Sequence, residues 1–374
     1  MPPARSVRLS TGRPEHGTSC FVRSTNDLPA DRSVSPAGRS VSPYTASYQP
    51  PPRRPSTLHP CQGLTPLIQT PALDPAIRDR AHGALLGLAV GDALGTTLEF
   101  TRRDTQPLHT EMTGGGPFDL KPGQWTDDTA MALALAHSLI SCQGFDPYDL
   151  ATRFVSWWQH GAYSCTGTCF DIGITTSAAL ARFVRTGEPY AGSTAPDTAG
   201  NGSLMRLAPV ALFALHDARQ ADSLARDQSR VTHAAPQAIE ACAYLVQLLR
   251  NAILGQPEVL HPRTWPGDPD IKTIAAGTWR RKTRDEIRSS GYVIDTLEAA
   301  LWAIGTTSTF EEALILAVNL ADDADTVGAI TGQLAGALYG ASTIPERWLH
   351  HLAWHSRILA VSDQLLAGVP KGNS

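Results

Sequence analysis

The chain has few cysteines and no pattern among them. Six of its 374 residues are Cys, and only Cys165 and Cys169 stand close together, which provides neither the paired spacing of a zinc site nor a disulfide framework. Reduced thiols and a cytoplasmic setting are therefore expected. The N-terminus lacks the apolar stretch of a secretory signal. The twenty uncharged positions 326–345 are broken by Thr331, Gln333, Tyr339 and Ser342, so no membrane span is expected either. Strand-like alternation of apolar and polar residues is also missing, which leaves an all-α fold.

Basic charge is scarce in the body of the chain. The formal charge is −4, but residues 1–72 carry eight Arg against Glu15, Asp27 and Asp31, so the remaining 302 residues hold −9. An acidic body argues against non-specific binding to nucleic acid. Residues 1–72 also contain thirteen Pro and a repeated Arg-Ser-Val-Ser-Pro at 32–36 and 39–43, and they are predicted to be a disordered tail. Residues 73–370 are expected to form one domain, with 42% hydrophobic content in the whole chain to build a core, acting as a monomer.

Helical periodicity fills that domain. The predicted helices are 76–94, 127–142, 147–160, 171–186, 203–216, 235–254, 292–305, 309–319, 325–340 and 345–367, with Gly- and Pro-rich connections at 101–125 and 187–202 and an insertion-like stretch at 255–290. Two rows of glycine stand out: Gly83, Gly87, Gly91 and Gly95 in the first helix, and Gly328, Gly332, Gly336 and Gly340 near the end of the chain. A glycine inside a helix costs about 0.8–1.0 kcal/mol relative to Ala, and close approach of two backbones is the physical return. A step of four residues drifts by about 40° on a 3.6-residue helix, so each row is expected to line only part of a contact. Both helices are expected at the centre.

The chemistry lies in two acidic clusters about two hundred residues apart, Thr126-Asp127-Asp128-Thr129 and Asp322-Asp323-Ala324-Asp325-Thr326. Each stands at the head of an apolar helix. The helix dipole favours an acid there by about 0.3–1 kcal/mol, whereas several ionised carboxylates brought together inside a protein cost more than that unless a cation neutralises them. Either cluster alone reads equally as an N-cap with an acidic first turn; the matched pair points to a cation. Ligands that are all oxygen suit Mg²⁺ or Mn²⁺ better than Zn²⁺.

Other positions stay open on sequence alone. The Gly200-Asn201-Gly202-Ser203 turn is a simple turn or a cradle of amide N–H groups for an anion. Glu99 ends the first helix as a solvated acid or as one lying over a metal centre. Asp171 reads as the acid opening a helix, Tyr292 as a core aromatic, and His233 as a structural residue beside an N-cap.

Taken in order, Gly91-Asp92-Ala93-Leu94-Gly95 with Glu99, Trp125-Thr126-Asp127-Asp128-Thr129, Phe170-Asp171-Ile172-Gly173, Gly200-Asn201-Gly202 with Met205-Arg206, Thr232-His233, Gly291-Tyr292-Val293 and Asp323-Ala324-Asp325-Thr326 resemble the motifs of the ADP-ribosylglycohydrolases, of the dinitrogenase-reductase-activating type. The resemblance runs from about residue 76 to 365. It implies a compact orthogonal helical bundle with a centre of two divalent cations, Mg²⁺ or Mn²⁺, bound by Thr126, Asp127, Asp128, Asp323, Asp325 and Thr326. It implies catalysis by Glu99, Asp127 and Asp325, a diphosphate held by Gly200, Asn201, Gly202 and Ser203, and His233 against the bound ADP-ribose. Asp171 and Tyr292 match positions that face the guanidinium side in arginine-specific members. The implied reaction is hydrolysis of the N-glycosidic bond between ADP-ribose and a protein side chain, most simply arginine, so the partners would be ADP-ribosylated protein or a small ADP-ribosyl compound. A hydrolase of serine-linked or O-acetyl-ADP-ribose and a non-catalytic crystallin-like relative are the alternatives. One departure is the second cluster, which has Asp322 and Ala324 where the family usually has Gly and Thr.

Overall fold

The computed structural model describes residues 73–367; the tail predicted at 1–72 lies outside them. Helix α1 (Pro75–Gly95) starts where Asp74 accepts the amide of Ala76 at 2.8 Å, with proline at the first helical position. It is followed by α2 (Asp127–Cys142), α3 (Pro147–His160), α4 (Ile174–Thr186), α5 (Ala208–Phe213), α6 (Ala218–Arg230) and α7 (Pro236–Ile253). The chain continues through α8 (Pro269–Ala275), α9 (Val293–Thr306), α10 (Phe310–Val318), α11 (Ala324–Tyr339), α12 (Glu346–His351) and α13 (His355–Ala367). The described residues form no β-sheet, only isolated bridges, two of which (Glu99 to Asp322 and Gly200 to Tyr292) bear on the site. None of their helices is long and apolar enough to cross a membrane.

The strongly periodic segments end within a residue or so of prediction, and the departures have local causes. The helix predicted from 171 begins only at Ile174, because Asp171 takes a left-handed φ of 57° that no α-helix accommodates. The segment 203–216 shrinks to α5, with residues 203–206 in turns. The segment 345–367 divides into α12 and α13 at Trp354, whose φ is 61°. Helix α6 lies between two predicted helices, where none is predicted. Its overall composition is polar, but Ala221, Leu224 and Ala225, with Gln228 and Ser229, form a buried stripe at helical spacing.

Helices α1 and α11 form the centre of the bundle, buried on all sides over most of their lengths. They run antiparallel with their glycines face to face: a Cβ at Gly83, Gly87 or Gly91 would overlap the carbonyl oxygen of Gly336, Gly332 or Gly328. The carbonyls of each helix occupy the space where side chains would stand on the other, and contacts of this kind repay part of the helix-propensity cost. The rows are therefore opposed for longer than a four-residue drift suggests, since the slants of two such rows cancel when the axes cross suitably. They differ at both ends: at one Gly95 faces Ala324, and at the other Gly340 leaves the row to end α11 at φ 92°. Around this pair, α7, α9 and α10 pack on α11, while α2, α5 and α13 pack on α1. This close contact sets the end of α1 beside the start of α11.

Candidate active site

Neither acidic cluster caps its own helix. Thr126 and Asp323 occupy the N-cap positions of α2 and α11 without a side-chain capping bond; Asp92, near the end of α1, and Glu99, just beyond it, do the capping instead. Asp92 Oδ1 accepts the amide of Thr126 at 2.8 Å and its hydroxyl at 2.9 Å, while Oδ2 accepts the amide of Thr129 at 3.0 Å and its hydroxyl at 2.6 Å. Glu99 Oε2 accepts the amide of Ala324 at 2.8 Å and approaches that of Asp325 at 3.5 Å. The simple N-cap reading of the clusters is thus replaced: Asp92 of α1 and Glu99, four residues beyond its end, supply the caps, and the clusters' own side chains face one another.

Two groups of oxygen ligands result. Asp92, Asp128 and Asp325 bring carboxylate oxygens within 4.8 Å of one another, as do Glu99, Asp323 and Asp325. Asp325 belongs to both. The Thr126 hydroxyl lies 2.9 Å from Asp92, 3.1 Å from Asp128 and 3.4 Å from Asp325, and one hydroxyl proton cannot serve three carboxylates. Asp128 Oδ1 is buried with no partner at all. Asp127 is in neither group but is buried beside them, while Thr326 bonds Asp325 Oδ1 through its amide at 2.8 Å. Asp323 is held on its other side by Asn201 Nδ2 at 2.7 Å.

The electrostatics match this crowding. Burial, followed by repulsion from Asp325, raises the pKa of Asp127, Glu99 and Asp171 well above the ordinary carboxylate range; for Asp128 burial is followed by Asp92. The same causes lift Asp92 and Asp323 to about 7. Buried carboxylates stay ionised together only with a counter-charge, and an all-oxygen donor set with an orphaned carboxylate oxygen fits a hard divalent cation.

Asp322 stands outside both carboxylate groups, although its charge helps to raise the pKa of Asp323. It is exposed, its backbone pairs with Phe100 and Thr101, and its φ is 64°, a conformation in which the family's usual glycine is unstrained and Asp is tolerated. Asp171, half-buried at its left-handed position, feels Asp325 and Asp127. Tyr292 is 37% exposed rather than in the core, and its hydroxyl points to Asp270 at 3.5 Å. The structure therefore brings Asp171 to the carboxylates and Tyr292 to a different wall of the site.

That wall belongs to a cavity of about 550 Å³ bounded by Pro196, Gly200, Gly291 and Tyr292. The Gly200–Ser203 turn lies between the cavity and the acids: Asn201 bonds Gly291 O through its amide at 3.1 Å while its side chain reaches Asp323. The amides of Gly202 and Ser203 bond no backbone carbonyl, whereas the Ser203 hydroxyl turns inward to Ser229 at 2.8 Å. His233 is buried against this turn, where a Cβ at Gly200 or Gly202 would crowd its imidazole. Burial, reinforced by the Arg206 cation, pushes the His233 pKa down to about 3.

Asp92 carries no role in the sequence reading, yet it organises one of the two helix ends. The available signal was a charged residue inside a glycine-stepped apolar helix, which is an expensive place for an acid without partners.

A buried, oxygen-lined acid centre is joined by a glycine turn to a cavity, and comparison with known proteins assigns this arrangement to the glycosidic-bond hydrolases of the ADP-ribosyl class. The family profile described as ADP-ribosylglycohydrolase matches residues 73–373, and the chain belongs to that family. It is 47% identical over 296 residues to the ADP-ribosylarginine hydrolase Tri1 of Serratia proteamaculans, covering 78% of this chain and 80% of that protein. It is 37% identical to the ADP-ribosyl-[dinitrogen reductase] glycohydrolase of Rhodospirillum rubrum, over 74% and 92% of the two chains. A solved structure titled ADP-ribosylglycohydrolase-related protein complex superposes with a TM-score of 0.70 at 43% identity, over 78% of this chain and 98% of that one.

Proposed function

We propose that this protein hydrolyses the bond between C1″ of ADP-ribose and the guanidinium nitrogen of a modified arginine, with two divalent cations, Mg²⁺ or Mn²⁺, held by Thr126, Asp127, Asp128, Asp323, Asp325 and Thr326. The observation that carries this reading is the membership of Asp325 in both carboxylate groups, as expected of a ligand between two ions. Arginine as the linkage is supported by relatives named ADP-ribosylarginine hydrolase. Asp171 supports it too, as a carboxylate near the acid centre that can pair with a guanidinium through two parallel hydrogen bonds.

Bound there, such cations supply neutralising charge and Lewis acidity toward water. The protein's own groups orient and move protons. Glu99 has Oε2 committed to α11 and Oε1 without a protein donor, and it takes a proton from the attacking water. The water oxygen bonds to C1″, the C1″–N bond breaks, and the departing guanidine nitrogen takes up the proton that Glu99 removed from the water, which restores the carboxylate. The free amides of Gly202 and Ser203, with His233 beside them, receive the diphosphate. The cavity beyond the turn receives the adenosine end, with Pro196 and Tyr292 as walls for the base. The substrates would be ADP-ribosylated proteins or small ADP-ribosyl compounds.

The test is release of ADP-ribose from arginine-, serine- and glutamate-linked peptides, with chelator and after adding back Mg²⁺ or Mn²⁺. Metal-dependent release from the arginine peptide alone is expected. Preference for the serine peptide, or full activity in chelator, would reject the reading.

A further inference from the structure

Arg206 is a fully buried guanidinium with no carboxylate among its hydrogen-bond partners. Burying such a charge without an acid is costly, and burial pushes its pKa down to about 9. Its donors go to neutral acceptors: Nε to Gln228 Oε1 at 2.8 Å, Nη2 to Gln228 O at 2.9 Å and to Thr232 Oγ1 at 2.9 Å, with the guanidinium over the Phe154 ring at 4.5 Å. A core position alone would be served more cheaply by an apolar side chain, so the contact with Thr232 invites a reason.

Thr232 Oγ1 also lies 2.9 Å from His233 Nδ1. Arginine can only donate, so the Thr232 oxygen accepts from it. The hydroxyl has one hydrogen, its position is fully buried, and its other side-chain partner is His233 Nδ1. Were Nδ1 protonated, two donors would converge on the oxygen and the hydroxyl hydrogen would have no side-chain acceptor, an expensive state inside a protein. With the hydroxyl donating to Nδ1, the Thr232 oxygen, its hydrogen and Nδ1 are all matched, and the imidazole proton must sit on Nε2. That atom has no hydrogen-bond partner in the protein and abuts Gly200 and Gly202. The backbone of His233 is pinned as well: its amide bonds Ser229 O at 2.6 Å, and the Ser229 hydroxyl bonds its carbonyl at 2.8 Å.

We propose that Arg206 is a positioning residue that acts through Thr232 to hold His233 as the Nε2–H tautomer, so that the imidazole presents a fixed, neutral donor to an oxygen of the ligand diphosphate at the Gly200–Ser203 turn. This rests on the reading of that turn as the diphosphate site. A neutral donor of one orientation needs no rearrangement when ligand arrives, which is the benefit of setting the tautomer beforehand.

The tautomer is read directly by two-bond ¹⁵N–¹H correlation on the full-length protein labelled at histidine nitrogens, with His233→Gln used to assign the signal. The wild-type protein should give a single Nε2–H imidazole. Thr232→Val, close in shape but without the hydroxyl, should shift His233 toward Nδ1–H or a mixture and weaken ADP-ribose binding by about tenfold, while Thr232→Ser should restore both. An Nδ1–H imidazole in the wild-type protein overturns the proposal, and that spectrum decides even where Thr232→Val does not fold. An unchanged tautomer in Thr232→Val overturns it equally. Wild-type protein with the expected tautomer but no affinity for ADP-ribose would instead retire the diphosphate reading and leave the relay standing.

Discussion

Asp92 grips Thr126 twice, through the threonine amide at 2.8 Å and its hydroxyl at 2.9 Å. An acid on the central helix thereby fixes the first residue of an acidic helix 34 positions later and leaves that helix's own carboxylates directed elsewhere. Asp92→Asn should destabilise the fold by about 1–3 kcal/mol, because an amide NH₂ would meet N–H or O–H donors on whichever side it turned. Urea denaturation checks this, and wild-type stability would show that the four bonds to Thr126 and Thr129 are dispensable.

The glycine contact reverses a familiar sign. Gly→Ala in an exposed helix stabilises by about 1 kcal/mol, but a methyl group at Gly87 would overlap the Gly332 carbonyl. Gly87→Ala is expected to destabilise by about 2–3 kcal/mol, the range for overpacking. A chemical melt that moved upward would mean the two helices separate at little cost.

Metal and pH should act together on stability. Without a cation, Asp92 and Asp323 have pKa values of about 7 in the folded state against an ordinary value of 3.8. The folded form therefore binds more protons than the unfolded chain between about pH 4 and 7, so metal-free stability falls as pH rises through that window. A cation competes with those protons, and the rise in Tm on adding Mn²⁺ or Mg²⁺ should be larger at pH 8 than at pH 5. Thermal melts in chelator and in metal at the two pH values measure this; an equal or larger rise at pH 5 would contradict it.

Asp325 should be the most sensitive single position. Because it serves both carboxylate groups, Asp325→Asn is expected to abolish the metal-induced rise in Tm and to lower kcat/KM by at least about 10²-fold. Retention of both would remove the proposed centre.

Asp171 tests substrate choice. Being only half-buried, it should contribute near the lower end of the range for one partner of a buried charge pair, about 2 kcal/mol. Asp171→Ala would then slow hydrolysis of ADP-ribosyl-arginine roughly 30-fold while free ADP-ribose, which has no guanidinium, binds as before. Equal loss of both, read by kinetics and calorimetry, would make Asp171 an organiser of the pocket.

The all-α class, the central glycine helices and the two acidic clusters were legible along the chain because each is a local pattern: a period of 3.6, a step of four, or a run of acids at a helix start. Helix α6 escaped because polar residues dominate its composition, although Ala221, Leu224 and Ala225 carry an apolar stripe at helical spacing. Asp171 and Trp354 escaped as helix breaks because a left-handed backbone at a non-glycine residue leaves no mark in composition.

What the sequence determined by itself is which residues were available for the chemistry and which helices had to touch, since glycine rows have few other uses in a buried helix. Only the tertiary structure decided how the acids divide their work. Asp92 and Glu99 became caps for helices formed far along the chain, Asp325 came to stand in both carboxylate groups, Asp322 turned to solvent, and the Tyr292 hydroxyl came to face Asp270. Those outcomes depend on distances between segments as much as 225 residues apart, and such distances are set by backbone packing and by the pairing of buried donors with acceptors, neither of which any local pattern records.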